Sequence, residues 1–213
     1  MYARVEGERE LTFQVSGMLW QRSLVMKDLE TGSLWSHLLG EAMRGELKGT
    51  RLEMLPAAMT TWKEWRQRHP KTTVLAMSRT AREFDAEIWN HPGPFVFGVP
   101  LGAGRDGPAV SIEKLMSVHV MNLQAGGNPI LVTFADAGNR AQAFDPSLDG
   151  EVARFETAGQ GRMKDTRTGS LWDAVTGVCL HGVHKGKKLA PRPGTISYRK
   201  AWRAFFPKAE VAE

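Results

Sequence analysis

The sequence predicts an α+β fold that is predominantly β, made of two related halves of twisted antiparallel strands, each with a short Trp-bearing helix. The main observation is a ten-residue stretch that occurs twice, as Met26-Lys27-Asp28-Leu29-Glu30-Thr31-Gly32-Ser33-Leu34-Trp35 and as Met163-Lys164-Asp165-Thr166-Arg167-Thr168-Gly169-Ser170-Leu171-Trp172. The same offset, with no gap, then aligns Gly40 with Gly177, Gly45 with Gly182, Gly49 with Gly186 and Leu52 with Leu189. Further on it pairs Trp65 with Trp202 and Pro70 with Pro207. A repeat this long is no solenoid; it marks two copies of one sub-structure packed together.

At the start of the chain, Tyr2 to Val5 alternates like a strand, Glu6-Gly7-Glu8 is a turn, and Leu11 to Val15 is expected to answer it as a second strand. Gln142-Ala143-Phe144, passing through Leu148-Asp149-Gly150 to Val152 and Phe155, is its counterpart. There an apolar run, Pro129 to Phe134, comes first, and the first copy has no equivalent. Tyr2 to Val5 is therefore expected to be an edge strand open to self-association.

The decapeptide reads as a hairpin. Leu24, Val25 and Met26 enter a short loop in which Asp28 and Thr31 accept backbone N–H bonds and Gly32 supplies the positive-φ residue; Ser33, Leu34 and Trp35 leave it. Asp165, Thr168, Gly169, Ser170 and Trp172 repeat the pattern. Asp28, Ser33 and His37 also hold the residue types of a hydrolase triad. The turn reading is preferred, because His37 is replaced by Ala174 in the second copy and no strand-to-helix elbow presents the serine.

The glycines at 40, 45 and 49 then break the chain into short pieces. Thr60 or Thr61 is expected to cap a helix through Trp62, Trp65 and Arg68, and Ser197 a second over Tyr198 to Phe206. Trp65 and Trp202 are each expected to anchor their helix on a sheet. Between the copies, strands are expected at Thr73 to Ala76 and Phe95 to Val99, and a helix near Ile112 to Met116. Gly102-Ala103-Gly104-Arg105-Asp106-Gly107 matches a dinucleotide-binding pattern by letter only. Gly107 runs into Pro108 and no helix opens at the second glycine, so it is read as a strand-connecting loop. The organisation expected is a first unit over 1–70, a connecting segment over 71–128 and a second unit over 129–213.

Composition sets bounds on chemistry. The chain has 213 residues, 42% hydrophobic and 24% charged, which is ordinary for a globular protein with a sizeable core. Its net charge of +5 is spread among acidic residues and reads as a solvated surface. The single cysteine, Cys179, rules out an intrachain disulfide. No apolar run is long enough to span a bilayer as a helix. Cys179, His181 and His184 form a Cys-x-His-x-x-His cluster whose soft ligands suit zinc or copper. The spacing fits no common finger, and alternation would put His184 on the opposite face from the other two. A buried thiol beside two surface imidazoles is the preferred reading. The segment from His184 to Lys208 mixes bases with aromatics as single-stranded nucleic acids favour, but an amphipathic closing helix needs the same composition.

Leu11-Thr12-Phe13, Ser16-Gly17-Met18-Leu19, Thr31-Gly32-Ser33-Leu34-Trp35-Ser36, Thr61-Trp62-x-x-Trp65 and His69-Pro70 together resemble the bacterial and archaeal family catalogued as domain of unknown function 3179. Val120-Met121-Asn122, Gly126-Gly127 through Phe134, and Gly169 to Asp173 extend the resemblance over nearly the whole chain. It implies no established activity. Members of that family typically carry a Cys-Pro-Leu-Cys segment and often a secretion signal or lipoprotein anchor, so the resemblance implies a first unit lacking its front and, with a start further upstream, an envelope or secreted location. The functional expectation is a non-catalytic or degenerate binding or accessory module. Its alternative is a metal- or thiol-dependent redox protein whose Cys-x-x-Cys lies upstream or has been lost, with a site drawing on Asp28, Asp165, His181, His184 or Cys179.

Overall fold

The computed structural model describes residues 1–74, 87–101 and 106–213. The first unit comprises β1 (Val5–Glu6), β2 (Arg9–Glu10), β3 (Phe13–Trp20), β4 (Ser23–Asp28), β5 (Leu34–Ser36), β6 (Glu41–Arg44) and helix α1 (Trp62–Arg68). After α2 (Glu87–Asn90) come β7 (Phe95–Gly98), β8 (Ala109–Ser111), α3 (Ile112–Val118), β9 (Val120–Ala125), β10 (Asn128–Ala135) and β11 (Arg140–Asp145). From Ser147 onward the chain repeats the pattern of β1 to α1. It runs through β12 (Ser147–Leu148), β13 (Glu151–Val152), β14 (Phe155–Gly159), β15 (Arg162–Asp165), β16 (Leu171–Asp173), β17 (Cys179–His181), β18 (Ala190–Arg192), β19 (Thr195–Tyr198), α4 (Arg199–Phe205) and β20 (Val211–Ala212). The fold is β-rich, as predicted.

Each decapeptide lies in a four-stranded antiparallel meander, β3-β4-β5-β6 in the first unit and β14-β15-β16-β17 in the second. The copies agree bond by bond. Asp28 N–H donates to the Ser33 carbonyl at 3.1 Å and Asp165 N–H to Ser170 at 3.0 Å; Gly49 N–H reaches Ala42 at 2.8 Å and Gly186 reaches Cys179 at 2.9 Å. Both third hairpins carry the same bulge, Trp35 facing Ala42 as Trp172 faces Cys179. Gly45 and Gly182 show why the bulge needs glycine. Their φ values are +106° and +100°, and an added Cβ would lie 2.6 or 2.5 Å from the hydroxyl of Ser33 or Ser170.

The N-terminal expectation needs correction. Only the first residue of Leu11 to Val15 pairs back: Leu11 N–H donates to the Arg4 carbonyl at 2.7 Å beyond the Val5–Glu10 pair, while β3, from Phe13 on, pairs with β4. Tyr2 bridges Met54, as Phe144 in β11 faces Pro191 in β18. Ala3 N–H donates to Glu53 and Leu55 N–H to Met1, so one edge of this strand is occupied. Phe144 has β10 on its other side, and β10 is flanked in turn by β9.

β7 and β8 pair antiparallel, with β19 outside β7 and β20 parallel to β8. This sheet, the β9-β10-β11 sheet and α3 enclose the largest apolar cluster, including Phe95, Phe97, Ile112, Leu115, Ile130 and Phe134. The antiparallel β7–β8 pair also disposes of the dinucleotide pattern, since that motif needs a parallel βαβ unit. Residues 102–105 of the Gly-rich stretch, and part of the strand expected at 73–76, lie outside the described residues.

The two helices differ. Thr61 caps α1 by accepting from Glu64 N–H, as predicted, but α4 starts at Arg199 with Tyr198 as an uncapped N-cap, and Ser197 belongs to β19. Trp202 is fully buried, lying flat where a side chain on Gly98 of β7 would stand and stacked 4.2 Å from Phe206. Trp65 is 38% exposed, and α1 buries none of its residues. The expectation that both tryptophans anchor a sheet therefore holds for Trp202 alone. Among the described residues the first unit has no β7–β8 pair to receive Trp65, so its indole donates to Thr72 at 3.0 Å and lies 4.2 Å from the His69 ring.

The units are joined through apolar contact. Leu38 and Leu39, in the loop between β5 and β6, enter a cluster with Val96, Ala109, Trp202 and Phe206.

Candidate functional site

The repeated hairpin places two carboxylates at the centre of the two meanders. Asp28 is fully buried and accepts from Thr31 N–H at 2.6 Å, the Thr31 hydroxyl at 2.8 Å and Trp35 Nε1 at 2.7 Å. Thr31 in turn contacts the Ser33 hydroxyl at 2.6 Å, and Ser33 Oγ accepts from Leu47 N–H at 3.1 Å. Trp35 sits edge-on to Phe13 at 5.5 Å and 87°, and Trp172 to Phe155 at 5.6 Å and 89°, so the indoles have matching apolar surroundings.

Their polar surroundings differ. Asp165 accepts from Arg167 N–H at 2.8 Å and the Thr168 hydroxyl at 2.7 Å, while Trp172 Nε1 is buried without a partner. His184 stands where the first unit has Leu47, with its Nε2 3.8 Å from Asp165 Oδ2 and its ring 6.1 Å from Trp172. It is thus a half-buried neighbour of the carboxylate and not the surface imidazole expected from strand alternation.

Neither hairpin is arranged for catalysis. The Ser33 hydroxyl is buried and committed to Thr31 and Leu47, Asp28 is committed to Thr31 and Trp35, and the His37 side chain bonds to neither. Among the described residues no group of three or more His, Cys, Asp or Glu side chains has the geometry of a metal site. Cys179 is buried with its thiol aimed at the Leu171 and His181 carbonyls, His181 is exposed and His184 faces Asp165; the three do not converge. Burial raises the Cys179 thiol above its ordinary pKa, the reverse of a reactive thiolate.

The two buried aspartates tie stability to pH. Burial pushes the Asp28 carboxyl upward, but bonds from the Trp35 indole, Thr31 and Gly32 outweigh it and hold the pKa below the usual value. Asp165 is likewise depressed: burial opposes, and the bonds from Thr168 and Arg167 and the charge of His184 prevail. A carboxyl depressed on folding contributes stability that is fully present above its unfolded pKa, about 4, and is lost as pH falls through the folded value. The denaturation midpoint is therefore expected to be flat near neutrality and to drop below about pH 4, less steeply in Asp28→Asn. A midpoint that stays constant to about pH 2 contradicts this assignment.

An opening lined by residues of both halves lies between Tyr2 and Arg192. It is a cleft of about 460 Å³ lined by Tyr2, Leu39, Arg51, Leu101, Asn128 and Arg192, among others. Tyr2 donates its hydroxyl to the Leu38 carbonyl at 2.9 Å, and burial pushes its pKa up to about 12, so the phenol stays neutral. Arg51 pairs with Glu41, and Arg192 with Asp145 at 2.5 Å. Arg192 Nε is buried without a partner. Sequence reasoning missed this cleft because its walls come from segments far apart in the chain, none carrying a local motif.

Residues 1–91 and 89–213 match, as two adjacent stretches, the family described as Protein of unknown function (DUF3179). No curated protein matches the chain. No solved structure matches it either.

Proposed function

We propose that this chain, which belongs to the DUF3179 family of proteins of unknown function, is a non-catalytic binding module whose ligand occupies the cleft between the two units. The observation that carries the proposal is the pairing of an apolar wall, formed by Leu39 and Leu101, with the polar side chains of Arg51, Asn128 and Arg192. Ligand sites are typically apolar concavities with a few fixed polar groups. A ligand with an apolar body and one acceptor group satisfies both walls. The saturated hydrogen bonding of Asp28 and Ser33 supports a structural role for the repeated hairpin.

Anilinonaphthalene sulfonate, an apolar ring system bearing an acceptor anion, is the probe for this reading. Titration is expected to show saturable fluorescence enhancement with one probe per chain, weakened about tenfold or more by Leu39→Asp. Enhancement that does not saturate, or that Leu39→Asp leaves unchanged, refutes the cleft. Stoichiometric zinc or copper in the purified protein, lost in the double variant His181→Ala, His184→Ala, would overturn the non-catalytic reading in favour of metal chemistry.

A further inference from the structure

We infer that the tip of the long first-unit hairpin and the start of α4 together form a binding site for a phosphate-type oxyanion. The meanders differ chiefly in this hairpin. Phe13 faces Asp28 across the first and Phe155 faces Asp165 across the second, a connection shorter by five residues. The additional length carries the first hairpin onto the second unit, where Trp20 packs edge-on against Phe205 of α4 at 4.7 Å and 88°.

At the tip, Gln21 and Arg22 both adopt the left-handed conformation, with φ values of 47° and 64°. The second unit makes its tip from Gln160 and Gly161, at 51° and 69°. Glycine is the unstrained residue at such a turn position, and arginine there costs backbone energy. Strain of this kind at a surface turn points to a use for the side chain.

Arg22 lines a cavity of about 440 Å³ together with Gly93, Pro94, Tyr198, Arg199 and Lys200. Three cationic side chains border it, and among the described residues no carboxylate lines it. Arg22 and Lys200 have no hydrogen-bond or ion-pair partner among the described residues. Arg199 is held in place by donating to the Gly93 carbonyl at 2.9 Å and to Glu213 at 3.1 Å, and its Nε is buried without a partner. Glu213 neutralises Arg199, whereas Arg22 and Lys200 leave a positive surplus on the concavity that an anion would neutralise. The guanidinium fork of Arg22 beside the Lys200 ammonium suits the several oxygens of a phosphate group. This site shares no lining residue with the cleft between the units, so either can fail without the other.

The test is calorimetric titration with pyrophosphate at low salt, using the full chain. Saturable binding is expected, weakened about tenfold or more by Arg22→Gly and by Lys200→Gln. Lys48→Gln, which removes an exposed cation outside the cavity, is expected to change the affinity less than about twofold. Arg22→Gly also relieves the turn, so its melting temperature is expected to equal or exceed that of the parent, which separates lost binding from lost folding. Absence of saturable binding, equal weakening by Arg22→Gly and Lys48→Gln, or a lower melting temperature for Arg22→Gly with unchanged affinity would each overturn the inference.

Discussion

Truncating Trp202 to alanine is expected to cost about 3 to 5 kcal/mol of folding free energy, whereas Trp65→Ala is expected to cost less than about 1 kcal/mol. The two residues occupy the same place in the repeat and lie in helices of equal length. Trp202 is fully enclosed by Gly98, Phe206 and the cluster that receives Leu38, so its removal leaves a cavity the size of an indole. Trp65 gives up only an exposed bond to Thr72 and a contact with His69. Chemical denaturation of both variants measures the difference directly. Equal losses would mean that α1 is buried in solution and that its exposed face has been assigned wrongly. Because Leu38 comes from the first unit, Trp202→Ala is also expected to loosen the junction between the units.

A second large effect is expected at Asp28. Asp28→Ala strips acceptors from a buried indole N–H, a backbone N–H and a hydroxyl at once, and the summed penalty is about 3 kcal/mol or more. Asp165→Ala is expected to be milder by about 1 kcal/mol, since Trp172 Nε1 already lacks a partner and loses nothing. The two substitutions are an internal control for each other, the same residue type at the same position of the same hairpin. An equal loss at Asp165 would show that Trp172 is bonded to that carboxylate in solution and that the units match in polar detail as well as in packing.

Much of the fold was legible from residues that act locally. Asp28, Thr31 and Gly32 specify a loop by their own side chains and φ preferences, and the duplicate at Asp165, Thr168 and Gly169 confirms it. Gly45 and Gly182 were legible as breaks for the same reason. What failed was whatever depends on a partner distant in the chain. Trp65 and Trp202 are indistinguishable in sequence, and only the presence of β7 under one of them decides that it is buried. Leu11 to Val15 has strand character, but alternation does not say whether it pairs with Tyr2 to Val5 or with β4. His184 reads as a surface residue because its neighbour Asp165 lies across the meander, and the replacement of Leu47 by His184 was the one available hint. The cleft left no trace and the cationic cavity almost none, since each is a coincidence of loops. Within the cavity the only sequence signal is the extra hairpin length, which an ungapped comparison starting at Met26 passes over.

The lone thiol has a practical consequence. Cys179 is buried in the second meander at the position that Ala42 fills in the first. A sulfhydryl reagent added to the native protein therefore reacts only while that meander is open, with no engineering and no competing thiol. Moving the sulfur, by Cys179→Ala together with Ala42→Cys, turns the same stopwatch on the other half. The two readings would show whether halves of common ancestry breathe together or apart.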